Sequence, residues 1–326
     1  MRKSGRFRKK ILNLFIFPFY FFPLMETLSS LAQAEVSKKE SSGKPGSVEA
    51  SLIDYNQYLS EKFDNMAEEV DLFLSNKSHT DQQNPSAIRL NYFDSIEEGG
   101  NRNPSFHFNV DLRLPNLEEK WSVSFTSYDQ DKESRSVRSK QQRVQPRTEN
   151  YGAGLALFQN LGRIKTSFRP RIELRDPLQT SYTLRFEGTS PVEPYRLYPR
   201  LELFGDSEKG TGQFVSLHME LSSHPDFSLA VFSEEEYQDA RNLFTTTHGL
   251  SLGKPLTKKL VASPTITFYS TNRESYHLED FTASVGLSHQ PYREVFHYNI
   301  TPYWRFSKLE SFKGKVGISV ETELIF

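Results

Sequence analysis

From Ala87 onward the apolar residues recur at every second position. Phe106, Phe108, Val110, Leu112 and Leu114 alternate with His107, Asn109, Asp111 and Arg113, and Trp121, Val123 and Phe125 with Ser122, Ser124 and Thr126. Ile164, Thr166, Phe168, Pro170, Ile172 and Leu174 alternate with Lys165, Ser167, Arg169, Arg171 and Glu173. The last run sets Val316, Ile318, Val320, Thr322, Leu324 and Phe326 against Lys315, Gly317, Ser319, Glu321 and Glu323. Successive side chains of a strand point to opposite faces, so each run predicts a strand with one apolar and one polar face. Fourteen such runs start near Ala87, Asn103, Lys120, Asn150, Arg163, Thr180, Pro194, Thr211, Asp226, Asn242, Lys259, Tyr276, Tyr292 and Ser311. Twelve remains compatible with about 17 residues per strand and connection. Turn signals such as Asn160-Leu161-Gly162, Asp176-Pro177 and Lys254-Pro255 separate the runs. With no helical period between them, an antiparallel meander follows.

Ahead of the strands the period is different. Leu52, Tyr55, Leu59, Phe63, Met66, Val70 and Phe73 recur every three or four residues, which predicts an amphipathic helix over 52–76. Its other faces carry Asp54, Glu61, Asp64, Glu68, Glu69 and Asp71. Residues 35–51, rich in Lys, Ser, Gly and Glu, read as a flexible tether. Residues 1–34 read as a cleaved signal peptide. Arg2, Lys3, Arg6, Arg8, Lys9 and Lys10 are its basic region, Ile11–Met25 its apolar core and Ala32-Gln33-Ala34 its cleavage pattern.

Period alone does not separate a soluble sandwich from a membrane barrel, whose apolar faces point outward to lipid and polar faces inward to a lumen. Three features favour the barrel. The runs are about 10–14 residues long, which suits tilted spans. The polar faces of successive strands carry long charged side chains. Trp121, Tyr151, Tyr182, Tyr195, Tyr269, Tyr292 and Trp304 sit at strand ends, as interfacial girdles require. The expected fold is therefore an all-β, antiparallel up-and-down transmembrane barrel at residues 87–326, preceded by the short helix.

Composition sharpens this. Hydrophobic residues are only 36% and mean hydropathy is −0.59, which leaves no apolar stretch for membrane helices beyond the N-terminus. Aromatics nonetheless reach 13%, with Phe 26 and Tyr 15. Without cysteine there are no thiol nucleophiles, disulfides or thiolate metal sites. Forty basic residues against 41 acidic give no reason to expect nucleic acid as a partner.

The ending, with Phe326 preceded by Leu324, Thr322, Val320 and Ile318, resembles the C-terminal signature of bacterial outer-membrane β-barrels. That resemblance implies that Val320, Leu324 and Phe326 are read by the barrel-assembly machinery, and that outer-membrane lipid surrounds the wall. The signal peptide, the short helix and strands such as Asp111-Leu112-Arg113-Leu114-Pro115 are similar to a group of proteobacterial outer-membrane barrels. This similarity rests on pattern and carries no activity across. With both termini periplasmic, the charged segment Gln130–Glu149 becomes a long extracellular loop.

Candidate chemistry is thin. His248 with Ser251, His218 with Ser216 and His289 with Ser288 are the pairs from which a lipid hydrolase could be built, and Glu234-Glu235-Glu236 with Asp239 is the rim cluster of a protease reading. None sits in a recognisable catalytic motif, and metal-ligand spacing is absent. No enzyme, cofactor or metal is expected. The sharper feature is a lumenal wall of Lys165, Arg169, Arg171, Arg185, Arg196 and Arg200 opposed by Glu173, Glu187 and Glu202. A bare basic wall would favour anions in a pore, whereas cross-strand ion pairs would only stiffen it. The expected role is a passive porin-like channel or structural envelope protein, with the solute undefined. A further expectation lets the acidic helix dock at the periplasmic mouth or enter the lumen as a plug, its carboxylates pairing with the arginine wall. The alternative is a helix lying at the periplasmic membrane face with its apolar stripe toward lipid.

Overall fold

The computed structural model describes residues 48–75, 86–100, 102–113, 115, 121–140, 143–192, 195–207, 210–224, 227–292 and 295–326. The expected signal peptide and most of the expected tether lie outside these residues. Helix α1 spans Val48–Ser75 and takes in the last residues of that tether. The strands follow as β1 (Ala87–Glu97), β2 (Ser105–Arg113), β3 (Trp121–Thr126), β4 (Gly152–Leu161) and β5 (Ile164–Glu173). Next come β6 (Gln179–Gly188), β7 (Ser190–Val192), β8 (Tyr195–Asp206), β9 (Gly210–His224) and β10 (Phe227–Gln238). The last are β11 (Leu243–Pro255), β12 (Leu260–Thr271), β13 (His277–Tyr292), β14 (Phe296–Ser307) and β15 (Gly314–Ile325). Two one-turn helices, α2 (Gln130–Glu133) and α3 (Val137–Lys140), lie between β3 and β4.

Every consecutive pair of strands except β6 and β7 pairs antiparallel, and two further pairings close the ring. β1 pairs with β15, and β6 pairs with β8. The short β7 pairs with β8 as the continuation of β6, so the fifteen segments make fourteen staves. Closure removes the open edges a flat sheet would expose. The backbone of Phe326 completes the seam by exchanging hydrogen bonds with Ile88 at 2.9 and 3.0 Å. Both chain ends of the barrel fall on one rim, here the terminal rim. The opposite, far rim holds the β3–β4 connection. Short turns dominate the terminal rim, as at Gly162, whose φ of +63° suits a residue without Cβ.

The two faces of the wall follow the sequence alternation. Outward side chains such as Phe106, Phe168, Val215, Leu250 and Val316 are exposed, as lipid-facing residues are when lipid is absent. Inward positions carry Ser, Thr, Asn and the charged residues, and many are buried. This inverts the soluble pattern. Of the expected girdle aromatics, Tyr269 is a correction: it faces Thr247 and Asp280 across its neighbours and lies beneath an arginine in the lumen.

Helix α1 does not enter the lumen. Phe63 and Ala67 are buried against Val110, Leu112 and Val123, with Met66, Val70, Ile88, Phe108, Phe125 and Leu155 around them. Cross-strand register places all of these strand residues on the outward face. The Asn56 side-chain amide donates to the Ile325 carbonyl at 2.7 Å, so the helix reaches across the β15–β1 seam. The plug expectation is overturned, and the stripe meets the barrel's own outer wall rather than lipid. An apolar stripe is best satisfied by apolar surface, and the lumenal face of these staves is mostly polar, with Phe93 and Phe158 as isolated exceptions.

Candidate functional site

The segment between Thr126 and Gly152, expected as an outward extracellular loop, turns into the barrel. Its neck is closed by Asn150 N–H donating to the Ser127 carbonyl at 2.8 Å. Asp129 caps α2 by accepting from the Lys132 N–H at 3.0 Å. For α3 the cap comes from the wall. Glu234 on β10 accepts from the Val137 N–H at 3.0 Å and from the Ser136 hydroxyl at 3.0 Å. A carboxylate there satisfies otherwise orphaned helix N–H groups.

Ionic tethers then run from the loop to staves on every side. Arg135 donates to Glu202 on β8 at 2.7 Å and lies 3.7 Å over the Phe204 ring. Arg138 donates to Asp280 on β13 at 2.9 Å and lies 4.4 Å over Tyr269. Arg147 pairs with Glu321 on β15 at 2.9 Å and, together with Arg143, grips the loop's own Glu133. The Ser319 hydroxyl on β15 donates to the Arg143 carbonyl at 2.8 Å. In the other direction, Asp131 accepts from Arg169 on β5 at 2.9 Å and from Arg185 on β6 at 3.2 Å. The loop is thus spoked to β5, β6, β8, β10, β13 and β15. The wall partners sit roughly 7–17 Å below the far rim, at about 3.3 Å per residue along tilted strands.

Glu202 is the hub. It is fully buried and pairs with Arg135, Arg185 and Arg200. Arg200 also donates to the Ser134 carbonyl at 2.6 Å. Arg171 holds the loop neck, donating to Thr126 Oγ1 at 2.6 Å and to the Asn150 carbonyl at 2.7 Å. A Cβ on Gly152 would stand 2.6 Å from its guanidinium, so only glycine leaves room for this grip. Burial alone would push Arg147 toward neutrality, but Glu133 and Glu321 outweigh it and hold its pKa above the ordinary arginine value. Burial pushes the Tyr128 phenol up. Beneath α2 a cavity of about 110 Å³ is lined by Asp111, Arg113, Gln130, Asp131, Phe158, Arg169 and Arg171 among others.

All six basic residues expected on the lumenal wall point inward by register. The structure splits them. Arg169, Arg171, Arg185 and Arg200 hold the loop, whereas Lys165 and Arg196 lie exposed near the terminal rim and take no part. Of the acids, Glu202 is central, and Glu187 stands 3.9 and 3.7 Å from Arg185 and Arg200. Glu173 is buried with Arg175 at 3.6 Å. Val320 and Leu324 face outward on β15. Sequence reasoning missed Arg135, Arg138, Arg143 and Arg147 with Asp280 and Glu321, and gave Glu234 a different role. Their signal was available, as a loop rich in arginine beside strands whose inward positions carry single acids.

Of the enzyme candidates, His218 and Ser216 share the inward face of β9 beside Glu234, whereas His289 and Ser288 point to opposite faces of β13. His218 Nε2 contacts Glu234 at 3.1 Å, and His289 Nδ1 contacts the Tyr298 hydroxyl at 2.9 Å. His248 faces outward while Ser251 faces inward. The acidic run is part of β10 and alternates, with Glu234 and Glu236 inward and Glu235 outward. Among the described residues no cluster of acids and histidines could hold a metal ion.

A closed antiparallel ring with a lipid-type outer face and a charged interior decides the class. The chain is an outer-membrane β-barrel protein. No family model and no curated protein sequence matches it. Solved structures similar to this outer-membrane protein include a KdgM porin, at 9% identity and TM-score 0.35, over 72% of this chain and 98% of that one. A loop-deletion mutant of OmpT, an outer membrane protein of Vibrio cholerae, overlaps at 7% identity and TM-score 0.48, over 74% and 99%. The outer membrane channel DcaP of Acinetobacter baumannii overlaps at 7% identity and TM-score 0.41, over 74% and 96%. Likeness at this level concerns architecture and assigns no activity to this outer-membrane protein.

Proposed function

We propose that the protein is a passive, porin-like channel without covalent chemistry, whose conductance is set by the loop between β3 and β4. One observation carries the reading: the loop is tethered across the lumen to six staves. A barrel that only braced the envelope would have no use for a spoked constriction in its interior. On this reading Arg169, Arg171, Arg185 and Arg200 position the loop and do not form a bare anion track. Arg135, Arg138, Arg143, Arg147, Arg169, Arg185 and Arg200 share Asp131, Glu133, Glu202, Asp280 and Glu321, so most of their charge is compensated. Weak ion selectivity follows. Val320, Leu324 and Phe326 retain the role of assembly signal on this reading.

Planar-bilayer recordings test it. Wild-type protein gives small single-channel steps, and a variant with residues 130–147 replaced by a short Gly-Ser link gives steps several-fold larger. Equal conductance in the two, or no channels from either, overturns the proposal.

A further inference from the structure

Lipid offers no partner to a charged side chain, so outward-facing titratable residues in a barrel wall are costly unless something satisfies them. Two such residues here are satisfied within the chain. Asp94 accepts from Arg102 and from Tyr92, and His289 contacts Tyr298. Glu235 on β10 and His248 on β11 are different. Both side chains are exposed, both point outward, and no hydrogen bond or ion pair holds either among the described residues. Glu235 lies one outward position nearer the barrel's middle than Tyr237, and His248 two positions nearer than Phe244. Exposed Val231 and Leu250 follow them along the same strands, so the pair interrupts an apolar wall.

Register fixes how the two are arranged. Ser233 stands directly opposite His248, and Glu235 opposite Thr246. Following opposed residues from stave to stave returns to β1 about 20 residues nearer the far rim, the stagger of a tilted barrel. Each step from β10 to β11 therefore climbs about 3 Å toward that rim. Two residues along β10 from Ser233 climb about 4–5 Å to Glu235. Glu235 and His248 thus sit at nearly one height, roughly 8 Å apart along the wall, with Ser233 below and between them.

Two copies inserted the same way in one membrane are related by an axis along the membrane normal, which brings together points of equal height. We propose that the outer face of β10 and β11 is a two-fold dimer interface, in which Glu235 of each copy meets His248 of the other. The patch is complementary to itself because an acid and a base share one height on either side of a single axis. Within lipid, where apolar packing gains little over acyl chains, such polar pairing is what holds two walls together.

The chain has no cysteine, so single cysteines report cleanly. Ser233 lies almost on the proposed axis. In outer membranes treated with a mild oxidant, Ser233→Cys forms a disulfide-linked dimer. Phe106→Cys, exposed on the outward face of β2 across the barrel, stays monomeric. Adding Glu235→Gln or His248→Ala to Ser233→Cys lowers the cross-linked fraction at least five-fold, and the exchange Glu235→His with His248→Glu restores it. Only the heat-modifiable, folded band is scored, which removes misfolded variants from the comparison. Monomeric Ser233→Cys, as expected if a lipid headgroup alone covers the patch, overturns the proposal. Cross-linking that is indifferent to Glu235 and His248 overturns it too.

Discussion

Helix α1 and the β3–β4 loop exchange the places their sequences suggest. The helix, acidic and placed before the first strand, is the natural candidate for a plug, yet it lies outside. The loop, long and charged, is the natural extracellular excursion, yet it lies inside. What separates them is how their polar groups are distributed. The loop carries charge on several sides, and the lumen answers it: Glu202, Asp280 and Glu321 take Arg135, Arg138 and Arg147, and Arg169 and Arg185 take Asp131. The helix has one apolar stripe, with Phe63 and Ala67 buried, and exposed acids at Asp54, Glu61, Asp64 and Glu69. Such a stripe would bury nothing useful in a polar lumen.

The comparison breaks most sharply at Glu202. Replacing it with Gln leaves Arg135, Arg185 and Arg200 close together without their shared carboxylate. Removing one partner from a buried ionic cluster costs about 3–5 kcal/mol, because the remaining charges stay desolvated. Glu202→Gln should unfold at a markedly lower temperature by heat-modifiable mobility. In bilayers it should convert weak selectivity into clear anion preference, read as a shift of reversal potential in a salt gradient. An unchanged reversal potential would mean that the arginines are compensated by something other than this acid.

A smaller effect is expected at the opposite end of the loop. Glu321 holds Arg147 at 2.9 Å, but Glu133 inside the loop binds the same guanidinium at 2.7 Å. Glu321→Gln therefore removes the loop's ionic tie to β15, leaving the Ser319 hydrogen bond to the Arg143 carbonyl, without scattering the loop's own charges. Its conductance should rise by less than that of the loop-replaced protein, with selectivity close to wild type. A change in selectivity as large as that of Glu202→Gln would show that the hub is not where the structure puts it.

Much of this was legible in the chain. The alternation at Ser105–Leu114 and Val316–Phe326 gave strands, faces and stave number, since a period of two fixes which residues share a surface. The inward arginines at 169, 171, 185 and 200 follow from the same rule. Their partners in the loop do not. Period says that Arg185 and Glu202 both face the lumen, but Asp131 and Arg135 belong to a segment with no period. Nothing local tells whether such a segment turns toward water outside or water inside. Tyr269 departs for a related reason: it sits near a strand end like the girdle aromatics but shares the inward parity of Thr267 and Thr271.

The least effect on transport, and the cleanest contrast with the loop, is expected from α1. Phe63 is 4% exposed against Val110, Leu112 and Val123, and burying a side chain of that kind contributes about 2–3 kcal/mol. Phe63→Asp should therefore undock the helix without touching any lumenal residue. Limited trypsin digestion reads the change at Lys62, which neighbours Phe63 on the helix and is itself exposed. A docked helix resists cleavage because a protease needs several residues of extended backbone. The undocked one should be cut at least ten-fold faster, while single-channel conductance stays at the wild-type value. A conductance that rises with cleavage would place α1 on the solute's path after all, and the division between an inner segment that sets flow and an outer one that braces the seam would fall.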